Sequence, residues 1–353
     1  MNKKELSNIF PYKLNKKDKE FYFKKKINML TDFHKKNCKE YNKILLATES
    51  KKLKKNLSDY IFLPAKIFKN FDLKSVPKNK IVKTLVSSGT TGNLPSKIYL
   101  DKENANNQIQ VLNKIMSTLL GKCRLPMMII DQDPKTEDRS VFNAKSAAIY
   151  GFSIFGKDHT YILNKSNEIN YELLNNFVKK YNTKKFLIFG FTNMIYETLI
   201  KKLSKNFAKY NFKNGILLHG GGWKKLESKK ISNVTFKKKL FDKLAIENVH
   251  NYYGLVEQTG SIFVESKKCG YFHTSIFSDI LIRDEKFNLV KNGKRGLIQL
   301  LSLLPTSYPG HNILTEDIGE IVGEDNCKCG LNGKYFLVYG RAKNTELRGC
   351  SDV

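Results

Sequence analysis

Arginine is scarce in this 353-residue chain: it occurs only at 124, 139, 283, 295, 341 and 348, so 56 of the 62 basic residues are lysine. Readers of base edges lean on the arginine fork and on interleaved aromatics. A sequence-specific nucleic-acid binder is therefore not expected, despite a formal net charge of +29. Proline (8) and glycine (22) are too few for a collagen-like or low-complexity chain. No apolar run approaches the roughly 18–20 residues that span a bilayer; the longest, LIQLLSLLP at 297–305, is broken by Gln299 and Ser302. The start, MNKKELSNIFPYKLNKK, lacks the apolar stretch of a signal peptide, so a cytoplasmic protein is expected. Cysteines at 38, 123, 269, 327, 329 and 350 are unevenly spaced, which argues against a disulfide framework. Reduced thiols, a metal site or a nucleophile remain open.

What is present suffices for a core. The chain is 41% hydrophobic and 12% aromatic, more than a disordered chain carries, and its length fits one large domain or two ordinary ones. Residues 1–80 hold 22 lysines against 8 acids, about half of the net charge. A solvated basic surface is the default reading, with an anionic surface as the alternative partner. This stretch reads as lysine-rich amphipathic helices around LSDYIFLPAKIFKNF. From about 81 short apolar runs alternate with helical stretches: IVKTLVSS (81–88), PMMIID (126–131), KKFLIFGF (184–191) and GILLHGGG (215–222) read as strands. Asp101 reads as the N-cap of a helix to about 120, and Thr192 begins another, TNMIYETLIKKLSKNF. Beyond 250 the pattern is mostly strands. An α/β layer followed by a β-rich region is the expected fold class.

The sharpest local signal is Ser87-Ser88-Gly89-Thr90-Thr91-Gly92-Asn93-Leu94-Pro95-Ser96-Lys97, directly after an expected strand. Glycines admit close backbone approach by an anion, hydroxyls and amides donate to phosphate oxygens, and Lys97 supplies positive charge. It is not a mononucleotide P-loop, because no Gly-Lys-Ser/Thr follows the second glycine. Read alone, such a run is more often a polar hairpin turn than a phosphate loop.

HGGGWKK (219–225), NYYGLVEQTG (251–260), SYPGHNILTEDIG (307–319) and GRAKNTELRGCSD (340–352) follow in order. Together with SSGTTGNLPSK they resemble the adenylate-forming superfamily of acyl and aryl ligases, and most closely the acyl-protein synthetase (LuxE) family. GGGWK and ELRGCSD carry the narrower likeness, over about 81–352. The resemblance implies a large N-terminal adenylate-forming domain, at 81–353, behind a basic helical segment at 1–80. It also implies that ATP and Mg²⁺ are used. Ser88, Gly89, Thr90, Thr91, Gly92 and Lys97 would meet the phosphates, where donors and positive charge answer the developing negative charge. Gly220, Gly221, Gly222, Trp223, Tyr252, Tyr253 and Gly254 would bracket adenine. Glu257 would hold Mg²⁺, a suitable task for a hard carboxylate oxygen. Asp317 would bind ribose, and Arg341 ribose or phosphate. His219 and His250 stand beside these motifs, either lining the acyl site or serving as structural histidines.

Cys350 matches the cysteine on which that family carries its acyl group as a thioester, and Arg348 two residues away favours the thiolate. The resemblance implies a fatty acid as substrate and a partner, such as a fatty-acid reductase, as acceptor. Cys327-Lys-Cys329, with Cys269 and His273 upstream, has the donor set of a tetrahedral structural zinc site; a free-thiol turn is the other reading, because Cys269 and His273 on one strand would splay apart. Two departures accompany the resemblance. The first loop has an extra residue before Lys97, and the chain stops where most superfamily members begin a small mobile C-terminal domain. A CoA ligase related to phenylacetate-CoA ligase, or an inactive homologue that binds an anionic surface, are the competing readings.

Overall fold

The computed structural model describes residues 9–48, 55–87, 95–134, 144–203 and 210–342. They fall into two compact units: one runs up to Thr118 and resumes at Gly254, the other is Leu119–Tyr253.

In the first unit, helix α1 (Lys16–Asn37) starts at Asn15, whose side-chain oxygen accepts from the Asp18 amide. Its buried positions Lys19, Phe23, Ile27, Thr31 and His34 form a stripe three to four residues apart, the spacing of one helix face. Phe23 and Ile27 pack with Leu57, Tyr60 and Leu301. Helix α2 (Lys39–Thr48) contributes Tyr41 and Leu45 to a cluster with Leu63, Phe68, Tyr308 and Ile313. Strand β1 (Leu63–Pro64) runs parallel to Ile313–Leu314, and a short helix α3 (Ile67–Asn70) follows. Here the structure corrects two expectations. Residues 57–71 form no long helix, since Pro64 has no amide hydrogen for one. Nor do the residues before 80 form a separate preamble: they are woven into the same unit as the C-terminal strands. Strands β2 (Ile81–Val86) and β3 (Lys97–Asp101) form an antiparallel pair. Helix α4 (Lys102–Leu120) begins as expected, with Asp101 Oδ1 accepting from the Asn104 amide at 2.8 Å.

The second unit is a parallel sheet. Strands β4 (Leu125–Ile129), β5 (Gly156–Tyr161), β6 (Phe186–Phe191), β7 (Gly215–Gly220) and β8 (Asn248–Tyr253) lie in the order β5-β4-β6-β7-β8. Helices α5 (Ala144–Ser153), α6 (Tyr171–Tyr181), α7 (Thr192–Ile195) and α8 (Asn233–Leu244) punctuate them. Every residue of FLIFGF in β6 and GILLHG in β7 is buried, as expected of strands covered on both faces. Helix α7 does not continue regularly but widens into a π-helix over Tyr196–Lys202. The consecutive residues Thr198, Leu199 and Ile200 are all buried there, which a 3.6-residue period does not place on one narrow face.

Back in the first unit, β9 (Phe263–Val264), β10 (Phe272–His273), β11 (Ser278–Arg283), β12 (Arg295–Ser302), β13 (Asn312–Glu324) and β14 (Lys334–Arg341) complete the chain. Five of them form an antiparallel sheet in the order β10-β14-β13-β12-β11, with β1 added on β13. Among the described residues no helix is long and apolar enough to cross a membrane.

Candidate functional site

Four sequence-remote segments of the first unit converge on Glu257. The short 3₁₀ turn Val256–Gln258 carries it. Tyr308 donates its hydroxyl to the Glu257 carbonyl at 2.8 Å, and Gln258 Nε2 donates to Gly310 O at 2.8 Å and Leu300 O at 3.1 Å. The NYYGLVEQTG and SYPGHNILTEDIG motifs are thereby locked to one another. The carboxyl of Glu257 is buried, and burial raises its pKa above the usual carboxylate range. The hydroxyl of Ser96 and the charge of Arg341 pull it back, while Asp317 pushes it further up. Asp317 and Arg341 are direct cross-strand partners in the β13–β14 ladder. The Arg341 guanidinium also reaches Glu316 at 3.8 Å. Asp317 is held by its own amide, which donates to Thr315 Oγ1 at 3.1 Å.

Ser96 and Lys97 close the loop that began the sequence argument. Ser96 is fully buried, its amide donating to Ser87 Oγ at 2.8 Å. Lys97 opens β3, and its half-exposed ammonium lies 3.8 Å from Asp72, which also accepts from Tyr99 at 2.6 Å. The structure thus brings Ser96, rather than Lys97, against Glu257. Ser88, Gly89, Thr90, Thr91, Gly92 and Cys350 lie outside the described residues. Ser96, Gln258 and Tyr308 were not singled out from sequence. The signal for them was only their place inside quoted motifs, since burial of a serine or a glutamine leaves no pattern along the chain.

In the second unit the C-terminal ends of β7 and β8 carry the expected aromatic and glycine residues. A ligand crevice outside such strand ends is the rule for open parallel sheets. The Tyr252 ring rests directly on Gly220, where a Cβ would come within 2.6 Å of it, and it stacks on Phe189 at 6.3 Å and 22°. Gly221 and Gly222 follow with φ of +79° and +69°, a backbone that side chains resist, so the chain turns sharply off the strand with its amides uncovered by side chains. Tyr253 is half-buried, and so is Gly254, the first residue of the other unit. Trp223 departs from expectation. Its indole is buried against Tyr196 (4.9 Å) and Phe236 (6.0 Å), a core position rather than one that brackets a ligand. His219 is also a core residue: Nδ1 meets Thr192 Oγ1 at 2.9 Å, and burial lowers its pKa to about 3. His250 is buried in β8. A cavity of about 890 Å³ opens beside the π-helix, lined by Tyr171, Tyr196, Lys201 and Lys243 among others. None of the motif residues lines it.

The second constellation read from sequence is brought together too. Ligand atoms of Cys269, His273, Cys327 and Cys329 all lie within 4.8 Å of one another. Splaying does not occur because the chain reverses between the two upstream members, the Gly270 amide donating to Ser266 O at 2.8 Å.

The chain matches the family profile described as "Acyl-protein synthetase, LuxE" over residues 5–353, so the N-terminal helices fall within the match. Comparison by sequence with curated proteins finds no match. Among solved structures, 2-hydroxyisobutyryl-CoA ligase in complex with 2-HIB-AMP and CoA superposes with a TM-score of 0.71 at 13% identity, covering 94% of this chain and 69% of that one. The amide bond synthetase McbA from Marinactinospora thermotolerans gives 0.50 at 11% identity, over 75% of this chain and 49% of that one. ATP-bound MatB from Rhodopseudomonas palustris gives 0.51 at 11% identity, over 76% and 49%. The chain therefore spans about half the length of the latter two. These likenesses establish the fold, the large N-terminal domain of adenylate-forming enzymes. With the family profile matched over nearly its whole length, the chain belongs to the LuxE family of acyl-protein synthetases.

Proposed function

We propose that this chain is an ATP-dependent acid–thiol ligase that activates a carboxylic acid as its adenylate and then carries the acyl group on Cys350. In the first step a carboxylate oxygen of the acid attacks the α-phosphorus of ATP. The bond from that phosphorus to the α–β bridging oxygen breaks, and pyrophosphate leaves. In the second, the Cys350 thiolate attacks the acyl carbon, and AMP departs with the electron pair of the carbon–oxygen bond. The thioester is then delivered to a partner, with a fatty acid as substrate class and a fatty-acid reductase as the kind of acceptor the family suggests.

The buried Glu257 carboxylate, with Asp317, Arg341 and Ser96 around it, carries this reading. Glu257 is buried, Asp317 half-buried and Arg341 exposed; carboxylates that outnumber the one guanidinium favour a cation, and oxygen donors suit Mg²⁺. Glu257 would hold it, and the ion would neutralise charge on the phosphates. Asp317 would accept from the ribose hydroxyls, with Arg341 beside it on ribose or phosphate. The run from Ser88 to Gly92, with Lys97, would donate to the β- and γ-phosphates. Gly220 to Gly222 and Tyr252 to Gly254 would flank the adenine. Because the Glu257 pKa is raised, protonation competes with the cation at a higher pH than for an exposed glutamate. The Mg²⁺ requirement should rise as pH falls through that range, and a titration of activity against Mg²⁺ at several pH values reads it.

The test is ATP-dependent labelling of the purified protein with a radiolabelled fatty acid, wild type against Cys350→Ser. Hydroxylamine-labile label on wild type alone is expected. Label on both proteins would place the acyl group elsewhere. ATP- and CoA-dependent formation of a free acyl-CoA without protein label would make CoA the acceptor.

A further inference from the structure

The distances within the Cys/His cluster suit a single ion. His273 Nε2 lies 3.3 Å from the sulfurs of Cys269 and Cys329 and 3.7 Å from that of Cys327, and the last two sulfurs are 3.3 Å apart. Tetrahedral zinc with bonds of about 2.3 Å to sulfur and about 2.0 Å to nitrogen spaces its ligands by comparable amounts. An enclosure within 4.8 Å is too small for an iron–sulfur cluster. The local chain supports a closed knuckle: the Gly330 amide donates back to Cys327 O at 2.9 Å, and Gly330 takes φ of +80°. Four protein donors leave no open coordination position, which is the mark of a structural site. The His273 ring is held between aromatics: Tyr335 stacks on it at 5.8 Å and Tyr12 meets it edge-on at 6.4 Å.

Tyr12 belongs to the N-terminal strap that leads into α1, and the strap is tied to this knuckle along its length. The Ile276 amide, three residues past His273, donates to Pro11 O at 2.7 Å. Asn332 Nδ2 donates to Lys13 O at 2.9 Å, and the Lys16 amide donates to Asp325 Oδ2 at 2.6 Å. The other oxygen of Asp325 accepts from Gly333 at 2.7 Å. Every strap partner lies within a few residues of a cluster cysteine or histidine. Without a central ion, three thiol groups and an imidazole would have only weak mutual contacts to fix that surface.

We propose that Cys269, His273, Cys327 and Cys329 bind one Zn²⁺, and that this ion clamps the N-terminal strap, residues 10–16, onto the C-terminal sheet. The ion binds thiolates, so their protons are released to solvent as it enters. The clamp is independent of the adenylation chemistry, and either can fail alone.

The experiment uses the full-length protein, purified without chelator under reducing conditions. Elemental analysis should find one zinc per chain. Exchange with Co²⁺ should give the visible bands of a tetrahedral cobalt site and a near-ultraviolet thiolate-to-cobalt transition. Removal of zinc should speed tryptic cleavage after Lys13 and Lys16 by about tenfold, the signature of local opening. Tyr12→Ala, which leaves all four ligands in place, should keep the metal and still speed that cleavage. Absence of zinc together with absence of cobalt bands overturns the site. Bound metal whose removal leaves strap cleavage unchanged, or opens the whole chain without preference for the strap, overturns the clamp.

Discussion

The two units bury different chemistry. Among the described residues the parallel-sheet unit buries one carboxylate, Asp131, held by Lys145 at 3.2 Å; the other buries Glu257, Glu265 and Asp279 together with Lys19 and Arg283. The core of the sheet unit is a continuous aliphatic and aromatic cluster from Met128 to Val249. In the other unit Lys19 Nζ bonds Thr274 at 2.8 Å and lies 3.5 Å from Asp279, which Lys334 also reaches at 2.9 Å. Burial lowers the Lys19 pKa to about 8, even with Asp279 favouring its charge. Burial raises the Asp279 carboxyl, but the two ammonium groups and a backbone amide outweigh it, and its pKa is lowered overall. One unit is a frame whose stability comes from apolar area. The other depends on matched charges, and it holds the buried carboxylate on which the proposed chemistry rests.

The contrast is broken most severely at Asp279. Asp279→Ala strands two lysines, one of them fully buried, and should cost about 3–5 kcal/mol in denaturant unfolding. Leu240→Ala in α8 should cost about 2–5 kcal/mol by the cavity it leaves, with no change in the pH dependence of stability. Acid acts on both units, since burial also holds His219 of the sheet unit neutral, and in the first unit it acts through His34 and His311. Burial lowers the His34 pKa to about 4, although its hydrogen bond to Pro305 O favours the charged form, and it lowers His311 well below the ordinary value. The unfolded chain binds these protons more readily than the folded one. Their stability is therefore full above about 6.5, the unfolded histidine value, and is lost as pH falls toward 4. Each histidine contributes a slope of up to about 1.4 kcal/mol per pH unit in that window. His34→Gln should flatten the fall by one such slope, with unfolding midpoints at several pH values as the readout. At the small end, Lys238→Ala removes an exposed pair with Asp242 at 2.6 Å and should shift stability by less than about 0.5 kcal/mol.

The same division governs what the sequence made legible. Apolar runs such as FLIFGF and GILLHG declare buried parallel strands because both faces are covered, and the Asp101 cap is read from one residue. The N-terminal 80 residues misled because lysine density reads as solvent-facing. Yet α1 turns Lys19 and His34 inward, and only their distant partners, Asp279 and Pro305, make that tolerable. At the candidate site, motif order points to Glu257, Asp317 and Arg341, the residues on which the proposed function rests. That Ser96 sits against Glu257 while Lys97 turns to Asp72 depends on a one-residue difference in where β3 begins, which spacing alone does not fix. Trp223 was misjudged for the opposite reason: the motif that contains it ends a strand, and its large apolar ring is drawn into the core behind that strand.

The most direct measurement of the central claim is carboxylate-dependent exchange of labelled pyrophosphate into ATP, wild type against Glu257→Gln, each checked for an unchanged unfolding midpoint. Exchange by wild type that falls by about a hundredfold or more in the variant is the predicted result. Equal exchange by the two proteins would contradict the role given to Glu257. No exchange by wild type across a panel of fatty and other carboxylic acids would contradict the adenylating function itself.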